Sequence, residues 1–555
     1  MVDCSRLINV ASHLPRIAGQ APARIAVVYP KGRDASGRLK YAQMTFQQLD
    51  EESDRYANGL AKLGIGRQCK VLLMIPPGIE FIALSFALLK IGAVMILLDP
   101  GIGKAHLLDC IREVEPEAMI AVPQVHLLSL MHRHHFKHLA RRITVGHRWL
   151  WNGVTLGAVR EGNWRKFPPA DLTGDDPAAI VFTTGSTGAP KGVLYLHGTF
   201  DAQIRVLQSQ FDIREEEIGF PAFAPFALYC VAMGTTCVLP LMDPTKPAQV
   251  NPREMLQPIQ DYAITYSFGS PAFWHRVSQH CVDQGIRLPS VKKVIMAGAP
   301  VSATVLKQLE QILPKDANSY TPYGATEALP VTSISGAEIL HETACLTREG
   351  KGTCVGRAAH DIELKIIPIS DEPIAEWNDR LALPQGEIGE VVVKGEIVSA
   401  GYYHRDDRTA LARIPDGRSF WHRMGDVGYL DTKGRLWFCG RKSHRVITAK
   451  KTLFTVPCEA IFNQHEDVFR CALVGIGPRT SQRPVIIVEP KGGKMPANRR
   501  AEIKFTEELL DLGRQNKLTR DIKDILFHRS FPVDFRHNAK IIREQLAVWA
   551  KGEIG

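Results

Sequence analysis

Residues 178–192 read AAIVFTTGSTGAPKG, a short apolar run that passes directly into glycine, hydroxyl-bearing residues and a lysine. The apolar half predicts a buried strand. The half that follows, TTGSTGAPKG over residues 183–192, combines backbone N–H groups, hydroxyl donors and a positive charge, the requirements for surrounding a polyphosphate. Thr183, Thr184, Gly185, Ser186, Thr187, Gly188 and Lys191 are therefore the candidate phosphate ligands. A Walker A loop is excluded, because only two residues separate Gly188 from Lys191 and Gly192, not Ser or Thr, follows the lysine.

On either side of this loop other short apolar runs recur: VLLMI from Val71, VMILL from Val94 and KVIMA from Lys293. Helical patterns separate them, which predicts buried parallel strands with crossover helices. Between about residues 352 and 438 the pattern changes to short, closely spaced strands with turns, as in EIGEVVVKG and GYLDTKGRLWFCG, and predicts a smaller antiparallel unit. After Gly440 the charged segment RKSHR leads into a last section with its own αβ alternation, about 115 residues and large enough for a small domain. The expected fold class is thus α/β. A large domain over residues 1–440, made of two α/β subdomains and a small β subdomain, precedes a small mobile α+β domain over residues 441–555, with a hinge near Lys442 and Ser443.

The chain has 555 residues, 45% of them hydrophobic and 23% charged, the composition of a globular protein with several packing units. Lys and Arg exceed Asp and Glu by 68 − 58 = 10. Such a surplus favours anionic partners without choosing among nucleotides, nucleic acid and membrane surfaces. Its densest stretch, MHRHHFKHLARR over residues 131–142, reads first as a solvated face and second as a membrane or partner patch. No nucleic-acid-binding module is recognised, so none is expected as a partner. The eleven cysteines stand singly, with no CxxC pair, which fits a reduced cytoplasmic setting. Residues 81–100, FIALSFALLKIGAVMILLDP, are interrupted by Lys90 and Gly92 and predict a buried helix running into a buried strand, not an integral membrane segment. Pro15, Arg16 and Pro22 break up any signal-peptide pattern at the start.

The phosphate loop resembles the signature loop of the acyl-adenylate-forming superfamily of AMP-binding enzymes, which includes acyl-CoA synthetases, luciferases and peptide-synthetase adenylation domains. Its further motifs follow in order. Gly298, Ala299 and Pro300 match the loop that frames adenine; Tyr323, Gly324, Ala325, Thr326 and Glu327 match the next motif; Asp426 lies in MGDVGYLD, and Arg441 follows Gly440. The resemblance implies ATP as cosubstrate, Tyr323 stacked on adenine, Thr326 on the α-phosphate, and Glu327 as a ligand of Mg²⁺, a hard ion that prefers oxygen. Asp426 and Arg441 would hold the ribose. Lys540, in RHNAKIIREQL, takes the place of the family's late lysine, which bridges carboxylate and α-phosphate; Asn538 and Ala539 stand where the family usually has Ser-Gly.

Within the superfamily the chain is most similar to the β-lactone synthetases of bacterial olefin biosynthesis, on the segments DPTKPAQ, TPYGATEALPV, MGDVGYLDTKGRLWFCGRK and FPVDFRHNAK. That resemblance implies adenylation of a 2-alkyl-3-hydroxyalkanoic acid, lactone closure by its own β-hydroxyl, and a complex with other olefin-pathway enzymes. The alternative is a fatty acyl-CoA or acyl-AMP ligase. Residues 446–459, VITAKKTLFTVPCE, lack the glycine-bearing loop of the CoA ligases, and a glycine-free stretch does not readily adopt positive φ. Phe223, Phe226, Leu228, Phe268, Ser270 and Pro271 are candidates to line an acyl tunnel. For the base that takes the β-hydroxyl proton, His197 and the adenylate phosphate are both open.

Overall fold

The computed structural model describes residues 7–162, 164–183, 190–533 and 540–554. Its first sheet has seven strands, in the order Val154–Thr155, Arg141–Thr144, Ala118–Ala121, Lys70–Met74, Val94–Leu98, Pro177–Thr183 and Lys191–Leu196. All neighbours are parallel except the last two strands, which are antiparallel. The apolar runs read from the sequence are central strands here, buried on both faces by helices, which is why they are continuous rather than alternating.

The stretch over residues 81–100 forms the helix Ile79–Lys90 and the strand Val94–Leu98, as its interruptions predicted. Lys90 is fully buried, and its Nζ lies 2.6 Å from Asp50 Oδ1 and 2.5 Å from Asp54 Oδ1. A buried ammonium is tolerated only when so paired; removing one partner from such a group costs about 3–5 kcal/mol. No described helix is long and apolar enough to cross a membrane.

Inside an antiparallel edge strand, Leu39–Thr45, the second sheet starts with parallel strands and changes direction part-way. Ile25–Arg33, Thr236–Val238, Ile218–Pro221, Tyr266–Gly269, Lys293–Met296 and Asn318–Ala325 run parallel in that spatial order. A two-residue turn, Thr326–Glu327, then reverses the chain into Ala328–Ser335, with Ala325 opposite Ala328. From there Thr353–Ala358, Leu436–Arg441, Ser419–Leu430, Gly389–Lys394 and Glu363–Ile367 add on antiparallel. The β unit predicted after residue 352 is therefore bonded edge-on to the α/β body through Thr332 opposite Ala358. One sheet of fourteen strands carries both.

The last section has a three-stranded sheet of Val468–Ile476, Arg483–Pro490 and Asp524–Phe527. Alternation along these strands sends Cys471, Leu473, Ile486 and Val488 to one face and Ala472, Val474, Val485 and Ile487 to the other. The helices Thr455–Phe462 and Arg499–Arg514 cover the first face, and Arg543–Ile554 covers the second.

Candidate active site

The C-terminal ends of the parallel strands of an open α/β sheet form the crevice in which ligands bind. Two site motifs are delivered there. Thr183 ends the strand Pro177–Thr183 directly opposite Lys191, so the two flanks of the glycine-rich segment close on each other. Thr184, Gly185, Ser186, Thr187 and Gly188 lie outside the described residues. Gly298 follows the strand Lys293–Met296 with φ +93°, a conformation that a side chain would strain. Ala299 and Pro300 continue that turn.

The turn Thr326–Glu327 is pinned by both of its carbonyls. Tyr195 donates its hydroxyl to the Thr326 carbonyl at 2.5 Å, and the Ser399 N–H donates to the Glu327 carbonyl at 2.8 Å. Residues 399–403 also stitch themselves to the strand that carries Lys191: Leu194 N–H donates to the Gly401 carbonyl and Tyr403 N–H to the Gly192 carbonyl. Tyr402, held between them, donates its hydroxyl to Glu327 Oε1 at 2.6 Å. Its ring lies under Lys191, whose Nζ is 4.7 Å from the ring centroid. Burial, and next the Glu327 charge, raise the Tyr402 phenol above its ordinary value, so it stays a donor. Burial lowers the Lys191 ammonium and the Glu327 carboxylate opposes that shift.

A second group lies at the strand pair Ser419–Leu430 and Leu436–Arg441, where Asp426 faces Arg441 in register. Tyr323 donates its hydroxyl to Asp426 Oδ2 at 2.6 Å, and Arg441 Nη1 stands 2.9 Å from Oδ1 as an ion pair. Burial raises the Asp426 carboxyl, against the Arg441 charge; the same Asp426 charge raises the Arg441 guanidinium. Oδ1 is buried and accepts no hydrogen bond from the described residues. A buried acceptor held among the described residues only by its ion pair to a guanidinium suits a sugar hydroxyl. The Glu327 charge reaches both Asp426 and Arg441, so the two groups belong to one site. Gly324 and Ala325 are the strand residues between Tyr323 and the Thr326 turn.

A magnesium ion also fits these residues. Among the described residues no cluster of three or more His, Cys, Asp or Glu is placed to hold a metal, and Tyr402 is the one hydrogen-bond partner of the Glu327 carboxylate. An ion bound by one carboxylate and completed by phosphate oxygens and water requires no more than this.

The candidate acyl residues join the site through a file of rings. Phe226 and Phe268 stack at 3.3 Å between centroids; Phe226 meets Tyr229 at 5.3 Å, Tyr229 meets Phe200 at 6.0 Å, and Phe200 meets Tyr195 at 4.9 Å. Tyr195 is the residue that binds the Thr326 carbonyl. Phe223 flanks Phe226, while Leu228 packs against the same core. Ser270 and Pro271 lie at the end of this file and start the helix Pro271–Asp283, where the Ser270 hydroxyl caps Phe273 N–H at 3.2 Å.

His197 is oriented away from this chemistry. Its Nδ1 accepts from the Val10 N–H at 3.2 Å, so its only proton sits on Nε2, and burial lowers the ring to a pKa of about 4. It has no lone pair with which to take a substrate proton. Lys540 precedes the helix Arg543–Ile554 beside the bridge between Val533 and Ile541. In that helix Glu544 lies 3.1 Å from His444 Nε2, just beyond Lys442 and Ser443. Residues 446–459 form a hairpin and the start of a helix, and its turn is closed by Thr448, whose hydroxyl accepts from Lys450 and Lys451 N–H. No described residue there has positive φ.

The sequence reading missed Tyr402, Tyr195, Tyr229 and Gln203; the last accepts from the Tyr229 hydroxyl at 2.5 Å and donates to the Leu329 carbonyl at 3.1 Å. Lone tyrosines and glutamines carry no spacing signal; the pairing of residues 399–403 with Lys191–Leu196 brings in Tyr402 and Tyr195, and contacts between the helices His197–Phe211 and Phe226–Ala232 bring in Gln203 and Tyr229.

The group of Tyr323, Asp426 and Arg441 and the group of Lys191, Tyr402 and Glu327 stand where the mixed sheet changes direction, an arrangement that agrees with the adenylating class of enzymes. The chain belongs to the AMP-binding enzyme family, whose profile matches residues 14–403, and as such it uses ATP to form an acyl-adenylate. It is 44% identical to an olefin beta-lactone synthetase of Xanthomonas campestris pv. campestris over 98% of both chains. It is 43% identical to an olefin beta-lactone synthetase of Stenotrophomonas maltophilia over 99% of both. In fold it resembles an amide bond synthetase from Marinactinospora thermotolerans, with a TM-score of 0.76 and 22% identity over 98% of this chain and 99% of that one.

Proposed function

We propose that the enzyme adenylates a 2-alkyl-3-hydroxyalkanoic acid and closes it to a β-lactone, with release of diphosphate and then AMP. The observation that carries this reading is the end-to-end similarity, at 44% and 43% identity, to two olefin beta-lactone synthetases. The glycine-free turn closed by Thr448, in place of a loop that admits a pantetheine arm, supports it against a CoA ligase. The ten described cysteines, none of them bridged, support a reducing, cytoplasmic setting.

In the first step a carboxylate oxygen attacks the α-phosphorus of ATP and the bond to diphosphate breaks. Lys191 neutralises the phosphates, Tyr323 provides a flat face for adenine, and Asp426 with Arg441 holds the ribose. Mg²⁺, when bound at Glu327, would supply the remaining charge neutralisation on the phosphates. Tyr402 positions the Glu327 carboxylate and shields Lys191. Lys540 reduces the repulsion between the two anions as they approach, a contribution made mainly in the transition state. In the second step the β-hydroxyl oxygen attacks the activated carbonyl carbon, the bond to the AMP oxygen breaks, and the hydroxyl proton leaves to the adenylate phosphate. With the His197 lone pair committed to Val10, the phosphate is the acceptor that remains of the two. The ring file from Phe268 to Tyr195 keeps water from the adenylate.

Residues 1–440 and 441–555 are taken as the two moving parts. The hinge is near Lys442 and Ser443, where Lys442 Nζ lies 2.8 Å from the Ser370 carbonyl and 2.9 Å from Glu390, and Arg445 Nη2 lies 2.6 Å from Asp371. The test is to incubate the protein with ATP, Mg²⁺ and a synthetic 2-alkyl-3-hydroxy acid without CoA, and to follow the products by NMR. Formation of β-lactone and AMP is expected. A strict requirement for CoA, with thioester as the product, would overturn the reading in favour of the ligase.

A further inference from the structure

Between Glu117 and Glu161 the chain has no acidic residue, while Arg133, Lys137, Arg141, Arg142 and Arg148 carry positive charge, with six histidines among them. This stretch folds onto one edge of the seven-stranded sheet, the edge remote from the strand that bears Lys191. It comprises the helix Pro123–Met131, the turn Arg133–His135 and the edge strands Arg141–Thr144 and Val154–Thr155.

The connection between the two edge strands displays apolar side chains to solvent. Leu150 is 98% exposed and Trp149 60%, and Met131 at the end of the nearby helix is 67% exposed. The loop is built to hold them there. Trp151 is buried, donates to Thr144 Oγ1 at 2.8 Å and stacks on His126 at 5.0 Å, and His126 Nε2 lies 3.1 Å from the Ile143 carbonyl. Trp149 lies 5.9 Å from that anchor. The rings of His132, His134 and His135 cluster beyond the helix. Glu115 reaches this face, 3.1 Å from His138 Nε2 and 3.9 Å from Lys137, and the Asp109 charge acts on His135.

We propose that this face docks the enzyme on an anionic lipid bilayer, with Trp149, Leu150 and Met131 entering the interface and the surrounding cations meeting lipid phosphates. Trp with aliphatic side chains inside a basic rim is the composition of an interfacial anchor. A nucleic-acid backbone would match the charge but leave Leu150 and Met131 in water. An acidic protein would match it too, but the apolar groups it would have to cover, Trp149, Leu150 and Met131, are the exposed aromatic and aliphatic side chains that a lipid interface takes up without a matching partner surface. The inference does not depend on the lactone reading, since it uses no residue of the active site.

The test is co-sedimentation of the full chain with vesicles of phosphatidylcholine alone or of phosphatidylcholine with about 30% phosphatidylglycerol, the anionic fraction being chosen to set up a surface potential. Binding to the anionic vesicles alone is expected, and its loss in high salt. The double variant Trp149→Ala, Leu150→Ala should weaken it about tenfold or more, from the apolar burial it gives up. Arg133→Glu with Lys137→Glu should weaken it similarly, while adenylation of soluble substrate by every variant shows that the fold is kept. Equal binding to both vesicle types, binding unaffected by the four substitutions, or capture of an acidic protein without any vesicle binding would each overturn the proposal.

Discussion

Tyr402 donates its hydroxyl to Glu327 Oε1 at 2.6 Å while its ring carries the Lys191 ammonium 4.7 Å from the centroid. One side chain thereby fixes the anionic and the cationic side of the phosphate site together. Tyr402→Phe keeps the ring beneath Lys191 and removes only the hydrogen bond to the carboxylate. A hydrogen bond to a charged group is worth about 1.5–3 kcal/mol, so the Mg²⁺ concentration for half-maximal adenylation should rise about tenfold or more. Binding of AMP without metal should change little. A Mg²⁺ titration superimposable on that of the parent enzyme would show that Tyr402 does not position Glu327.

The two halves of the nucleotide site should separate in kinetics. Asp426→Ala removes the partner of both Tyr323 and Arg441, leaving the partly exposed guanidinium without its carboxylate, and should weaken nucleotide binding itself. Lys540→Ala should instead lower kcat for adenylation about 100-fold or more with ATP affinity nearly unchanged, because its charge is spent as the carboxylate attacks. Equilibrium binding of ATP and single-turnover adenylation measure the two quantities. An ATP dissociation constant raised as much as kcat falls would make Lys540 a ground-state nucleotide ligand.

The parts of this architecture that were legible in the sequence are those whose signal is local. The runs at Val71, Val94, Ala178 and Lys293 are apolar because both faces of each strand are covered, and each is a parallel strand. The motif residues Tyr323, Asp426 and Arg441 were legible by their order, and the fold gathers them into a single ion-pair and hydrogen-bond group. Non-local pairings were not legible. That Thr332 lies opposite Ala358, joining the β unit to the α/β body in one sheet, depends on a register that no residue announces. Lys90 read as a break in an apolar stretch, and only its contacts with Asp50 and Asp54 on another helix explain a lysine in the core. Tyr402 was passed over because a tyrosine in a loop carries no chemistry until the loop pairs with the strand beside it.

His197 and His422 make acid sensitivity a property of the core. Burial lowers both from the ordinary histidine value of about 6.5 to a pKa of about 4. The unfolded chain therefore binds protons at these positions that the folded chain refuses. Each histidine contributes stability that is fully present above pH 6.5 and is lost as pH falls from about 6.5 towards 4, up to about 3 kcal/mol per group. His197→Gln retains an acceptor for the Val10 N–H and cannot be protonated in this range. Urea midpoints measured across the window should fall less steeply for this variant. An unchanged slope would mean that His197 is protonated in the folded state at higher pH than its burial implies.

The acceptor of the acyl group decides between a lactone-forming enzyme and a ligase, and a substrate lacking the β-hydroxyl reads it directly. A hydroxyl on the β-carbon is tethered to the activated carbonyl, and well-oriented intramolecular attack reaches effective molarities of about 10⁵ M or more. Ring strain in the four-membered product takes back part of that advantage. AMP is nonetheless a good leaving group, and cleavage of ATP supplies the driving force that direct dehydration in water lacks. The 3-deoxy analogue keeps the carboxylate, the alkyl chains and the contacts proposed with the ring file from Phe268 to Tyr195, so its adenylation should proceed. Without an internal nucleophile, and with water held off by the same rings, it should stop as bound acyl-AMP after a single burst of diphosphate. Addition of CoA should not release it, because the turn closed by Thr448 offers no glycine for a pantetheine arm to pass. Quench-flow measurement of diphosphate with and without CoA is the check: one equivalent per enzyme in both cases is expected, and steady CoA-dependent turnover of the deoxy acid to a thioester would sink the lactone reading.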